Sequence, residues 1–126
     1  MLKMLKENQK AINGICRERE KAVSKELSSI DKIKWKQIDN CQAWYTETEN
    51  YYILKSYETV IACISKNNSY CYNFMHYVFD FSCLEFGNRY SKRPGATSSN
   101  HVRRLCKIYE TKTGKILRGL MTYRDV

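Results

Sequence analysis

The apolar positions at the start of the chain predict a long helix. Between residues 1 and 33 they recur at gaps of three, four or seven residues, at Leu5, Ile12, Cys16, Val23, Leu27 and Ile30. Such spacing forms one stripe on a helix whose other faces are charged. Gly14 weakens a helix by about 1 kcal/mol relative to Ala, so we expect a bend or interruption there. The stripe predicts a helix lying across a sheet; a coiled-coil or dimer seam and a partly disordered arm are the alternatives.

The middle of the chain predicts antiparallel strands. Residues 41–46, 51–57, 59–65 and 70–74 are rich in the β-branched and aromatic types that suit a pleated surface. Residues 47–50 form a polar turn, and Asn67-Asn68 tolerates the positive φ of a tight hairpin. Residues 28–40 are interpreted as a connector, and the apolar run 75–86 as a further strand.

The last third predicts a loop, a helix and a strand. Residues 87–96 contain Lys92-Arg93-Pro94-Gly95 and form a basic loop. Thr97 to Asn100 are candidate N-cap residues for a short helix over 99–110, and residues 115–123 form a final strand. The predicted fold is α+β: a long basic N-terminal amphipathic helix (residues 1–36), and one small α+β domain (37–126). That domain has an antiparallel sheet of about four or five strands and a short C-terminal helix packed on the sheet.

Composition agrees with one packed domain. The chain has 126 residues, 43% of them hydrophobic, and a single proline. It contains no apolar run of signal-peptide length and no stretch of about 18 apolar residues. We therefore expect no membrane association and a cytoplasmic location.

The positive charge is concentrated at both ends of the chain. Residues 1–36 carry net +5, residues 37–88 net −4 and residues 89–126 net +8, which gives the overall +9. If the two ends fold back together, the protein has one basic side and one neutral-to-acidic side. A basic side attracts polyanions, with nucleic acid as the first candidate.

The residues that carry chemistry do not form an enzyme signature. Six cysteines occur without a Cys-x-x-Cys pair, and the only histidines are His76 and His101, so we expect free thiols, no metal and no cofactor. His101 and Cys106 are five residues apart and diverge by roughly 140 degrees around a helix. Asp80 and Glu85 stand alone, although a metal nuclease needs clustered carboxylates. The sequence predicts a protein that is not an enzyme.

The predicted binding site combines the basic loop with the start of the following helix. Outward N–H groups at a helix start can hold a phosphate, and nearby cations add contacts. The candidate residues for binding nucleic acid or a partner are Arg89, Lys92, Arg93, Ser98, Ser99, Asn100, Arg103, Arg104 and Lys107. Simple capping with solvated arginines is the alternative. The tyrosines of the sheet are an alternative base-stacking surface, but alternate tyrosines on a strand usually pack in a core.

Two segments resemble small proteins of bacteriophages and other mobile elements. They are Leu54-Lys-Ser-Tyr-Glu-Thr-Val-Ile-Ala62 and Ala96-Thr-Ser-Ser-Asn-His-Val-Arg-Arg-Leu105, with the pattern Ser-Tyr-x-Thr-x-Ile-Ala followed by Thr-Ser-x-x-His. The resemblance implies a small accessory protein that acts on host or viral macromolecules. Inhibitors of CRISPR nucleases are one group encoded by such genes.

These observations lead to one functional expectation and two alternatives. We expect a non-enzymatic binding protein that antagonises a host nucleic-acid-handling complex, most concretely a CRISPR nuclease inhibitor. Its partner is then a host nuclease or ribonucleoprotein complex, or the DNA or RNA itself. The first alternative is a direct DNA- or RNA-binding module or small regulator. The second is a homo-oligomeric phage accessory protein that dimerises through the N-terminal helix.

Overall fold

The computed structural model describes residues 2–75 and 96–123, and it shows two helices and six strands within them. In chain order the elements are α1 (Leu2–Ser28), β1 (Lys36–Gln37), β2 (Ala43–Glu47), β3 (Tyr51–Ser56), β4 (Thr59–Ser65), β5 (Tyr70–Asn73), α2 (Ala96–Thr113) and β6 (Gly119–Thr122). This is an α+β fold, as predicted.

The strands form a single sheet in chain order. Neighbours from β1 to β5 pair antiparallel, whereas β6 lies parallel to β5, with Tyr70 opposite Gly119. Parallel neighbours need a crossover rather than a hairpin, and α2 belongs to the chain between them. The expected sheet of four or five antiparallel strands is therefore a mostly antiparallel sheet of six described strands.

The sheet is covered by a helix on each face. Tyr51 and Ile53 of β3 pack in one apolar cluster with residues of α1, and Tyr52 and Leu54 pack in a second cluster with residues of α2. Successive side chains of a strand point to opposite faces, so the two helices lie on opposite sides of the sheet. The cations of α1 and those of α2 therefore lie on opposite sides of the sheet, whereas Lys36, at the end of the basic N-terminal third, lies beside α2. The candidate site must be built from α2 and its surroundings alone.

The apolar stripe of α1 packs against the sheet of the same chain. Cys16 and Val23 are buried against the sheet, and Ile12 and Leu27 pack beside them. Gln9 Nε2 also donates to the Thr122 carbonyl oxygen at 2.8 Å. The stripe therefore lies across a sheet, which is the first of the predicted alternatives. The helix runs through Gly14 without the expected interruption.

The turn between β4 and β5 differs in detail from the prediction. Ser69, and neither asparagine, has the positive φ, of 60°. Asn68 contributes through its side chain, which accepts from the Tyr70 backbone N–H at 3.0 Å and donates to the Tyr72 hydroxyl at 2.8 Å. Within the predicted connector 28–40, the structure also contains the short strand β1. The predicted strand 75–86 and loop 87–96 lie outside the described residues, except for Met75, which follows β5, and Ala96, which begins α2.

Candidate functional site

A groove of about 770 Å³ runs between α2 and the edge of the sheet formed by β1 and β2. Its lining is dominated by cations. Among the described residues, five basic side chains, one carboxylate and six uncharged residues line it: Lys36, Arg103, Arg104, Lys107 and Lys112; Asp39; and Gln37, Ile38, Tyr45, Asn100, Ile108 and Thr111. We call this feature the basic groove.

The two-sided character of α2 places its cations in the basic groove. Val102, Leu105 and Tyr109 are at most 5% exposed and pack on the sheet. Residues 103, 104 and 107 lie on the other side of the helix and are exposed. Residues three and four apart share a helix face. Because the buried face packs on the sheet, the side chains of residues 103, 104 and 107 are left exposed at the groove. The packing of α2 thus orients the arginines without using them as core residues.

The turn between β1 and β2 brings the Asp39 carboxylate into the basic groove. Ile38 N–H donates to the Ala43 carbonyl at 2.8 Å, and Cys41 N–H donates to the Ile38 carbonyl at 3.2 Å, which closes the turn. Asp39 lies within it at a φ of 49°, a conformation that Asp tolerates better than most residues. Its carboxylate accepts a hydrogen bond from Arg104 Nη1. Both side chains are largely exposed, so the pair stabilises the fold by at most about 1 kcal/mol.

Lys112 lies at the far end of the basic groove, above Tyr45. Its Nζ is 5.5 Å from the centre of the Tyr45 ring. A hydrogen bond with Tyr45 raises the pKa of Lys112 above its usual value, so the ammonium stays charged. Lys112 therefore keeps its positive charge throughout the physiological range and has a fixed aromatic neighbour.

His101 lies beneath the start of α2 and does not face the basic groove. Its Nδ1 is 2.8 Å from the Ser56 hydroxyl oxygen, and the side chain is 3% exposed. Burial, and then the charge of Arg104, lower the pKa of His101. The ring is therefore neutral at neutral pH and anchors α2 to β3. Neither member of this Ser–His contact is accessible as a nucleophile, since Ser56 is also buried.

The structure brings together four of the nine predicted site residues. Asn100, Arg103, Arg104 and Lys107 all line the basic groove. Ser98 and Ser99 lie in the first turn of α2, which begins at Ala96, so residues 97–100 are inside the helix instead of preceding it. The predicted residues outside the described part of the chain are Arg89, Lys92 and Arg93.

Sequence reasoning missed Lys36, Asp39 and Lys112. A signal for Lys112 existed, because Arg104, Ile108 and Lys112 follow one another at intervals of four along a helix. Lys36 and Asp39 come from the β1–β2 hairpin, 65 or more positions before Arg104 in the chain, and reach the groove only through the fold. No local pattern connects them with α2.

The sheet does not provide the base-stacking surface considered as an alternative. Tyr51, Tyr52 and Tyr72 are at most 5% exposed, because a helix covers each face. Tyr52 instead packs edge-on against Tyr109 of α2, with ring centres 5.5 Å apart. These tyrosines are core residues.

The described cysteines are free thiols, and several are held in the protonated form. Burial raises the pKa of Cys16 to about 11 and raises the pKa of Cys63 further still. Within residues 2–75 and 96–123, no group of three or more His, Cys, Asp or Glu side chains is close enough to hold a metal ion.

A second groove on the opposite face has a different chemical character. It occupies about 550 Å³ between α1 and the β5–β6 edge, and Arg19 and Glu18 are its only charged lining residues in the part of the chain described. Arg19 stacks 5.2 Å above the Tyr72 ring and donates to the Tyr51 hydroxyl at 3.2 Å. The excess of cations is thus a property of the basic groove and is not shared by the surface concavity on the other side.

The chain matches no protein-family model, no curated protein and no solved structure. Neither described helix is long and apolar enough to cross a membrane. Functional inference therefore rests on the chemistry of the basic groove.

Proposed function

We propose that the protein is a non-enzymatic binding protein whose basic groove holds the phosphate backbone of a nucleic acid. The observation that carries the proposal is the excess of five cations over one carboxylate in one groove. Such a groove follows a phosphate backbone and releases counterions when it binds.

The dimensions of the basic groove suit several phosphates. Arg103 and Lys112 are nine positions apart on α2, which corresponds to about 14 Å at about 1.5 Å per residue. Each strand of duplex DNA has one phosphate per about 3.4 Å of helix axis. Lys36 supplies a cation from the opposite wall. The groove therefore has the length and charge to contact more than one phosphate of a backbone.

The side chains in the basic groove suit the binding of a polyanion better than catalysis. Its carboxylate is engaged with Arg104, and His101 turns toward Ser56 beneath the helix. Four of the cations instead project from α2, whose other side is anchored in the core, and Lys36 comes from the opposite wall. A rigid row of positive charge is what polyanion binding requires.

The test is a salt titration of binding to labelled single- and double-stranded oligonucleotides. Arg103→Ala/Lys107→Ala should weaken binding at least about tenfold and make the salt dependence shallower by nearly two counterions. Lys10→Ala/Lys21→Ala removes the same charge from exposed positions on α1, across the sheet. If both double variants weaken binding equally, net charge and not the groove is responsible, and the proposal fails.

A second candidate function is antagonism of a nucleic-acid-handling complex, with a host CRISPR nuclease as the concrete case and the host cytoplasm as the place of action. The Asp39–Arg104 ion pair favours this second candidate, because the Asp39 carboxylate is a hydrogen-bond acceptor among cationic hydrogen-bond donors. A mixed surface of this kind suits a protein partner that itself binds nucleic acid. The resemblance of residues 54–62 and 96–105 to proteins of mobile elements points in the same direction.

The two candidates give opposite results in one comparison. Direct nucleic-acid binding requires tight, salt-steep binding to bare oligonucleotides. Antagonism requires negligible binding to bare oligonucleotides, capture of a purified nuclease–guide complex, and loss of cleavage inhibition in Arg103→Ala/Lys107→Ala. Unimpaired cleavage at saturating protein would exclude antagonism of that nuclease.

A further inference from the structure

We infer that the nucleic acid in the basic groove is single-stranded and that Tyr57 stacks on one of its bases. The inference rests on the proposed function and adds to it the class of nucleic acid and an aromatic contact. Tyr57 occupies the tip of the β3–β4 hairpin, beside the start of α2.

Tyr57 differs from the other described tyrosines in its exposure. It is 55% exposed, whereas Tyr70 is half-buried and the remaining described tyrosines are buried. A tyrosine that is mostly in water contributes little burial to the fold. Its ring is accessible to a planar ligand.

Tyr57 also occupies a backbone conformation that disfavours it. Its φ is 54°, in the left-handed region, where a bulky residue is an outlier. Ser56 pairs with Thr59, so Tyr57 is the first of two loop residues, a position at which positive φ favours Gly. Residues held in such conformations cluster at binding and catalytic sites. The hairpin thus has an exposed aromatic ring where glycine would be less strained.

The Tyr57 ring lies beside the N-terminal part of α2, outside the lining of the basic groove but next to residues that adjoin it. The Tyr57 ring centre is 6.3 Å from that of His101. His101 follows the groove residue Asn100 directly and precedes Arg104 by one helical turn. The Tyr57 N–H donates to the Gln42 carbonyl at 2.9 Å, which ties the hairpin tip to the segment that follows Asp39. The hydrogen bond between Ser56 and His101 fixes the surface behind the ring.

A cationic groove with an exposed aromatic ring near the same end of α2 suits a single strand. In a single strand the bases are free to leave the backbone and stack on a side chain, whereas in a duplex they are already paired and stacked. Backbone phosphates would lie along Arg103, Arg104 and Lys107, and the base at the Asn100 end would lie on Tyr57. Tyr51, Tyr52 and Tyr72 of the sheet cannot play this part because they are buried.

The experiment compares wild-type protein with Tyr57→Gly, Tyr57→Phe and Arg103→Ala/Lys107→Ala. The probe is a labelled oligothymidylate of about 12 nucleotides, alone and as a duplex with its complement, measured by fluorescence anisotropy. Tyr57→Gly should lose about tenfold or more in affinity for the single strand and change duplex affinity by less than about twofold. Tyr57→Phe keeps a stacking ring and should bind like wild type.

Thermal unfolding separates this role from a structural one. Tyr57→Gly should unfold at the same temperature as wild type or higher, because glycine relieves the positive-φ strain. A stable variant that binds the single strand poorly supports the inference. The inference is overturned if Tyr57→Gly binds the single strand as tightly as the wild type does, or if the wild-type protein binds the duplex more tightly than the single strand. The proposed function stands in either case, provided that Arg103→Ala/Lys107→Ala still binds more weakly than the wild type. Failure of that double variant to change any binding overturns the proposed function and this inference together.

Discussion

Asp39 and Arg104 form an ion pair across the basic groove, joining the β1–β2 turn to α2. The pair has two opposing effects. It holds the guanidinium at the groove, and it neutralises one of the five cations that a polyanion would meet. Asp39 is therefore expected to limit polyanion binding at Arg104.

Asp39→Asn should raise the affinity for an oligonucleotide several-fold and steepen its salt dependence by about one counterion. The free energy of unfolding should change by no more than about 1 kcal/mol, because the pair is exposed. Oligonucleotide affinity measured at two or more salt concentrations checks the prediction.

Glu49→Gln is the matched control, because it removes a carboxylate from an exposed position in the β2–β3 turn. An equal gain in Glu49→Gln would show that only the net charge matters. In the Arg104→Ala background, Asp39→Asn should give a much smaller gain. An undiminished gain there would contradict a local effect of the pair.

The stability of the protein should depend on pH through His101. Its pKa is lowered in the folded protein by burial and by Arg104. The unfolded chain, with an ordinary pKa of about 6.5, therefore binds more protons below that pH. The free energy of unfolding is fully retained above about pH 6.5 and should fall as the pH drops from there toward the lowered pKa.

Urea unfolding of wild type and His101→Gln between about pH 7.5 and 5 measures this dependence. His101→Gln can keep a hydrogen bond to Ser56 but cannot titrate. Its unfolding free energy should decline less with falling pH than that of wild type. Parallel curves would show that His101 does not contribute to the pH dependence, since His76 is present in both proteins.

Two glycine substitutions should have opposite effects on stability. Gly14 lies within α1, and a Cβ there would meet no atom within 4 Å, so Gly14→Ala should stabilise the protein by about 0.5–1 kcal/mol. Gly114 directly follows α2 and has a φ of 70°, so Gly114→Ala should lower the free energy of unfolding by about 1 kcal/mol.

Thermal unfolding of the two variants checks this pair. Both changes add one methyl group with open space around it, so steric differences do not explain a difference in sign. A destabilised Gly14→Ala would indicate that α1 needs flexibility at that position. An unchanged Gly114→Ala would show that the end of α2 adapts without strain.

Local patterns were sufficient to predict the central strands. The β4 bounds Thr59–Ser65 agree with the sequence interpretation, because β-branched residues and flanking turn residues mark this segment. Lys36 and Gln37 carried no such signal, since two exposed polar residues form a strand only through their partners Tyr45 and Trp44. Short edge strands depend on tertiary pairing.

The sequence patterns could not predict which face of the sheet each helix covers, for a related reason. Tyr51 and Tyr52 are both buried, so β3 shows no alternation that would identify one face as exposed. Without that alternation, nothing indicated that α1 and α2 take opposite faces. For the candidate site, helical spacing indicated Arg103, Arg104 and Lys107 together, but Asp39 and Lys36 become neighbours of α2 only in three dimensions.

The attachment of α1 to the last strand has a consequence for biosynthesis. Gln9 bonds to Thr122, Cys16 Sγ contacts the Met121 carbonyl oxygen at 3.6 Å, and Arg17 donates to the Tyr123 hydroxyl at 2.8 Å. These partners are translated more than a hundred codons after the residues they hold. Until the ribosome has synthesised β6, α1 can pack on β3 to β5 but lacks these three contacts. Final docking of α1 therefore has to follow the synthesis of β6, and a stalled nascent chain that lacks β6 would leave α1 loosely attached.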